Sequence, residues 1–138
     1  MAARGKETVR RMLDEVWNKG NVDFLDEAAT TDCAFRESGG ALVGLEQEKA
    51  HIGGLLDSLS DVRASVDDLV GEGGKVAARW SWSATHTGEF MGIAPRGERL
   101  EGAGMSFYRM EDGKIAEAWT VSDRLGLMGQ LGMVPPMR

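Results

Sequence analysis

A chain of 138 residues is long enough for one domain and too short for two, and its 42% hydrophobic and 28% charged residues are the ordinary balance of a globular protein. No apolar run reaches the roughly 20 residues of a membrane span, and the start, Met1 to Glu7, has no apolar signal core, so a cytoplasmic location is expected. The formal net charge of −6 with scattered Lys and Arg argues against nucleic acid and anionic membrane as partners, and a single cysteine, Cys33, excludes an internal disulfide.

Val9, Met12, Leu13, Val16 and Trp17 recur at helical spacing and predict an amphipathic helix from about Lys6 to Asn18. Gly20 suits its C-terminal cap, and Asn21 the N-cap of a short second helix with Leu25, Ala28 and Ala29 inward. Cys33 to Glu37 reads as a strand in which Glu37 is expected to face solvent and Cys33 to be a small buried side chain rather than a nucleophile. Leu45 to Leu59 reads as a third helix with Ile52, Leu55, Leu56 and Leu59 inward. Gly53 and Gly54 weaken it by roughly 1 kcal/mol each relative to Ala, which suggests that something packs close there.

After Leu59 the period changes to two. Val62, Ala64 and Val66 alternate, Glu72-Gly-Gly-Lys75 makes a turn, and Val76, Ala78, Trp80, Trp82 and Ala84 alternate along a strand to Thr85. Gly88 to Gly97 is a longer connection containing Pro95. Leu100 to Met110 and Ile115 to Val121 are the last two strands, joined by a hairpin turn at Asp112-Gly113. Arg124 to Gln130 reads as a short helix and Met133 to Arg138 as an irregular tail. Helices followed by an antiparallel meander make an α+β domain, with three N-terminal helices on a sheet of about four to six strands. Long strands twist, so the sheet curls, and helices over its concave side leave a cone with an apolar pocket.

Several chemistries lack their motifs. His51 and His86 have no spacing for a metal site with Cys33, and no serine lies in a G-x-S-x-G turn. Gly71-Glu-Gly-Gly-Lys75 only approximates a phosphate loop, because Leu69 stands where the first glycine belongs and Val76 where Ser or Thr does. Gly102-Ala-Gly104 lacks the third glycine of a dinucleotide fingerprint and lies in a strand pattern. No metal, nucleotide or flavin cofactor is expected, so an enzyme built on this chain works with acid–base side chains alone.

Three stretches, in order, resemble the SnoaL-like polyketide cyclases: His86-Thr-Gly-Glu-Phe-Met-Gly92 with Pro95 and Gly97; Tyr108-Arg-Met-Glu-Asp-Gly-Lys-Ile115 running through Glu117 and Trp119 to Asp123; and Leu125-Gly-Leu-Met-Gly-Gln-Leu-Gly132. The similarity spans most of the chain, including the N-terminal helix pair and Trp17. It implies a nuclear-transport-factor-2-like fold, helices against a strongly curved sheet, usually dimeric through that sheet, and a small hydrophobic, polyketide-like ligand. In the cyclases an aspartate just after the Trp-bearing last strand is the proposed acid–base residue, and Asp123 matches it. They often carry a second polar group near the pocket, sometimes a histidine beside that Trp, where this chain has Thr120. In epoxide-opening relatives an arginine on a long strand pairs with carboxylates; Arg79 lies on such a strand, with Ser81 rather than an acid two residues on.

Read from the residues alone, each candidate also has a structural role. Asp123 can cap the short helix that follows it. Arg79 can bridge to Glu101 across strands, Arg109 can be an ordinary strand-end charge, and His86 can anchor the next loop by hydrogen bonds. Trp80, Trp82, Met105, Phe107 and Trp119 serve the core or an interface first and ligand walls second. The expected function is a cofactor-free cyclase that closes a ring by intramolecular aldol chemistry, with Asp123 catalytic and Trp119, Phe107, Arg79, His86 and Arg109 at the substrate. Epoxide opening, double-bond isomerisation and non-catalytic binding of a small molecule are the alternatives. A homodimer through the sheet is expected, because Val76 to Thr85 puts tryptophans on one face and Arg79, Ser81 and Ser83 on the other.

Overall fold

The computed structural model describes residues 2–37, 40 and 42–133. Beyond Met133, the expected irregular tail lies outside the described residues. Helix α1 (Ala2–Met12) passes directly into a π-helical stretch, Leu13–Asn18, where the Lys19 amide reaches back five residues to the Asp14 carbonyl at 3.1 Å. The wider turn sets Asn18 against a strand edge. Its amide nitrogen donates to the Ala64 carbonyl at 2.9 Å and its oxygen accepts the Ala64 N–H at 2.6 Å, so one side chain stands in for a neighbouring strand. A 3₁₀ turn, Val22–Phe24, leads into the four-residue α2 (Leu25–Ala28).

Then follow β1 (Ala29–Glu37), α3 (Leu45–Asp57), β2 (Leu59–Glu72), β3 (Lys75–His86), β4 (Arg99–Glu111), β5 (Lys114–Ser122) and α4 (Arg124–Gln130). One five-stranded sheet has the order β1-β5-β4-β3-β2. Strands β2 to β5 form the expected antiparallel meander, but β1 lies parallel to β5, so the sheet is mixed. No hairpin joins β1 to β5; the chain leaves β1 for α3 and the far edge, and β1 is free to pair in the parallel sense. β2 is also longer than its alternation suggested. Its register shifts between Val66 and Asp68, where Asp67 is the extra residue, and that bulge breaks the period-2 signal.

The helices cover the sheet face that carries Val76, Ala78, Trp80, Trp82 and Ala84, and Val9, Val16, Leu25 and Ile52 pack against it. Cys33 is in this core, and burial pushes its thiol up to about 12, which keeps it protonated and unreactive near neutrality. Two glycines make room for the tryptophans. Gly104 pairs with Trp80 and Gly102 with Trp82, and a Cβ on either glycine would run into the indole lying across it. Gly53 and Gly54 are different: an added Cβ on either meets nothing within 4 Å, so the close packing suggested for that part of α3 is absent among the described residues. Also among these residues, no helix is long and apolar enough to cross a membrane.

Candidate functional site

Along the inner face the apolar lining is interrupted by a group of polar side chains. Ser106 on β4 faces Thr120 on β5, with their hydroxyl oxygens 2.9 Å apart. The Trp80 indole N–H donates to Ser106 Oγ at 3.0 Å. One step further along β5, Ser122 Oγ donates to Glu37 Oε1 at 3.1 Å. Tyr108 is buried beside them; burial pushes its phenol up, and the Ser106 hydroxyl opposes that shift.

A carboxyl completes the group from the helical side. Leu45, Glu48 and Ile52 share one face of α3, and the two apolar members are buried. Burial raises the Glu48 carboxyl above the ordinary carboxylate range; His51 opposes the rise and the negative charge of Glu37 adds to it. Burial thus makes Glu48 a stronger base than an exposed carboxylate, on the helix face that packs over the sheet.

Two of these positions correct or extend the sequence reading. Glu37 was expected in solvent but shares its strand face with the buried Cys33 and Phe35, because β1 pairs with β5 in a register that sets Glu37 beside Thr120. Glu48 carries no motif; its place three residues after Leu45 and four before Ile52, on the apolar stripe of the helix, is its one signal in the sequence. Ser106 and Ser122 were legible only as polar residues in phase with Tyr108 and Ala118.

The sequence candidates are spread over the molecule. Asp123 is the N-cap of α4: its Oδ1 accepts the Gly126 N–H at 2.9 Å, and its own N–H donates to the Ala103 carbonyl at 2.9 Å. Exposed at the sheet's end, it borders an open cavity of about 600 Å³ with Trp82, Glu101, Gly102 and Gln130. Gln130 fixes α4 there by exchanging two hydrogen bonds with the Glu101 backbone, each 2.8 Å.

Arg79, Phe107, Arg109 and Trp119 all lie on the sheet face away from the helices. The expected Arg79–Glu101 bridge does not form, because Arg79 pairs with Met105 while Glu101 pairs with Ser83; Arg79 approaches Asp67 at 3.9 Å instead. Arg109 is more than a strand-end charge. With Arg36 it grips Glu117, and these two hydrogen bonds hold that carboxylate below its ordinary range. Phe107 and Trp119 meet edge to face at 5.9 Å, and the Arg36 guanidinium stacks 5.4 Å above the Trp119 ring.

His86 is fully buried on the inner side, edge-on to Phe90 at 6.1 Å. Neither ring nitrogen has a partner among the described residues. The anchoring expected of its ring is done by its backbone, which donates to the Glu98 carbonyl at 2.8 Å and accepts from the Gly97 N–H at 3.0 Å.

Comparison with solved structures places this arrangement among known proteins. AclR from Streptomyces galilaeus, a candidate hydroxylase, superposes with a TM-score of 0.90 at 27% identity over 100% of this chain and 91% of its own. TsrD from Streptomyces laurentii superposes with 0.83 at 30% identity over 96% of this chain and 97% of its own. IdmH from Streptomyces antibioticus, a candidate polyketide cyclase, has 0.81 at 30% identity over 93% and 98%. The shared architecture is the nuclear-transport-factor-2-like fold. Comparison with curated proteins yields no match. The model of the SnoaL-like polyketide cyclase family matches residues 7–131. With nearly the whole chain matched by that model and the same fold in each of these structures, the protein belongs to the SnoaL-like polyketide cyclase family.

Proposed function

We propose that this chain is a cytoplasmic, cofactor-free cyclase that closes a ring in a small hydrophobic, polyketide-like substrate, with Glu48 moving the proton. The observation that carries the reading is the Glu48 carboxyl, raised by burial, on the helix face that packs over the inner side of the sheet. A base poised above the ordinary carboxylate range accepts a proton from carbon more readily and still returns it to an alkoxide. Glu48 takes the proton alpha to one carbonyl. The C–H electron pair forms the enolate, whose carbon bonds to a second carbonyl carbon of the same molecule. The new alkoxide then takes the proton back from Glu48. All atoms are conserved, and the apolar walls hold the chain folded for attack. Incubation of a linear polyketide-like precursor with the wild type and Glu48→Gln, with products separated by chromatography and mass, tests the assignment; equal turnover by the variant overturns it.

Asp123 supports a second reading, because it borders the open cavity. Its cap and a catalytic role separate cleanly. Asp123→Ala is expected to lower stability by about 1 kcal/mol, while Asp123→Asn keeps the cap and the melting temperature. If Asp123 is the base, the Asn variant loses turnover; with Glu48 as the base, it stays active.

The assembly is a homodimer, with a second copy covering the open sheet face. Met105, Phe107, Trp119 and Val121 sit together there with large exposed apolar areas, on cross-strand pairs of β4 and β5. Sedimentation at micromolar concentration is expected to give twice the 14.9 kDa chain mass, and Phe107→Glu with Trp119→Glu to return the monomer. A monomeric wild type rules this assembly out.

A further inference from the structure

We propose that His86 is an acid-sensitive latch: when its ring takes up a proton, the tip of the loop between β3 and β4 lifts off the end of the sheet. The inference is independent of the reading of Glu48 and stands on the geometry around one buried ring.

The loop is tied at its two roots. At one, the Thr87 and Gly88 N–H groups donate to the Ser58 carbonyl at 3.1 and 2.9 Å, and Ser58 Oγ donates to the Glu89 carbonyl at 2.6 Å. At the other, the His86 N–H donates to the Glu98 carbonyl and the Gly97 N–H to the His86 carbonyl. Between the roots, Phe90 and Ile93 exchange two backbone hydrogen bonds with each other, at 3.0 and 2.9 Å. Among the described residues no hydrogen bond or ion pair joins the stretch 90–96 to the rest of the chain. The tip is therefore held by apolar burial: Phe90 packs with Leu100 and Leu131, and Ile93 and Trp82 border the same cluster.

The His86 ring lies edge-on to Phe90, sealed from solvent, with both nitrogens unpartnered among the described residues. A buried polar atom left unpaired raises the energy of the closed loop even when the ring is neutral. The protonated ring is worse placed, since both nitrogens then donate and the charge has lost its water. No carboxylate compensates. Asp57 at the end of α3, Glu89, Arg96 and Glu98 on the loop and Arg124 on α4 are all exposed, and Asp61 and Arg99 on the flanking strands pair with each other at 3.3 Å. Lifting Phe90 gives both nitrogens access to water while the roots stay tied. The charged ring thus favours the open loop and the neutral ring the closed one, and opening bares the Leu100–Leu131 cluster beside α4.

The test is nuclear magnetic resonance of the full chain, labelled at its histidine ring nitrogens and phenylalanine rings, followed from about pH 8 to 5, where histidine changes charge. His51, the other histidine and an exposed one, is the internal reference. The wild type is expected to lose the His86–Phe90 ring contact in step with the charging of His86, the open-to-closed ratio rising by up to about tenfold per pH unit, the slope of one linked proton. Backbone shifts of residues 90–96 are expected to move with it, while those of Ser58 and Gly97 hold. In His86→Leu the shifts of residues 90–96 are expected to stay constant over the same range. His86→Gln, polar but unable to take up a proton, gives the same constancy should the leucine variant not fold. A His86 ring that becomes charged with the Phe90 contact intact overturns the proposal, as does a ring that stays neutral throughout, or a loop that still moves with pH in a folded variant.

Discussion

Glu48→Gln is expected to cut turnover by about 10²- to 10⁴-fold, the usual contribution of a positioned acid–base group, while leaving the protein as stable as before or more so. The two effects share one cause. Burial raises the Glu48 carboxyl, so the folded chain holds its proton more tightly than the unfolded chain does. For such a group stability falls as pH rises from the ordinary carboxylate range through the raised folded value, because folding then requires either a bound proton or a buried charge. Glutamine has the shape without the charge. The melting temperatures of wild type and variant are therefore expected to coincide at acidic pH, and the variant is expected to gain the advantage as pH rises. Thermal melts across pH 4 to 8 beside turnover assays check both halves. A variant that melts lower at every pH has lost packing rather than a proton carrier.

Gly104→Ala is the second large effect, this time on the fold. The new Cβ would stand 2.6 Å from the Trp80 ring and 2.5 Å from the Val121 carbonyl oxygen. The indole is tied to Ser106, and the carbonyl belongs to the adjacent strand, so neither can yield cheaply. Overpacking of this kind costs about 1–3 kcal/mol. Gly53→Ala is the matched control, since its Cβ enters open space inside α3 and is expected to add up to about 1 kcal/mol of stability from helix propensity alone. Urea unfolding of both variants, followed by tryptophan fluorescence, should show opposite signs. A Gly104→Ala protein as stable as the wild type would mean that the indole does not lie flat on β4.

The tryptophan and glycine phases were both visible in the sequence: Trp80 and Trp82 alternate with small polar residues, and Gly102 and Gly104 alternate with Ala103 and Met105. So were the first helix, the meander, the Asp112-Gly113 hairpin and the capping of α4 by Asp123. These features are local, set by a repeat of two or 3.6 residues and by single residues at turns and caps, and they need no distant partner. Alternation alone could not say which side of a strand faces the helices. Phe107 and Trp119 looked as apolar as Trp80, yet they stand on the open face, because strand register places them opposite each other and out of phase with Tyr108 and Ala118. Nor could it reveal that β1 joins β5 in parallel, the single long-range pairing that turns Glu37 inward beside Thr120. Glu48 shows the same limit on a helix. A carboxylate among apolar neighbours is chemically unremarkable in a sequence, and only the packing of α3 over the sheet removes enough water to raise its pKa.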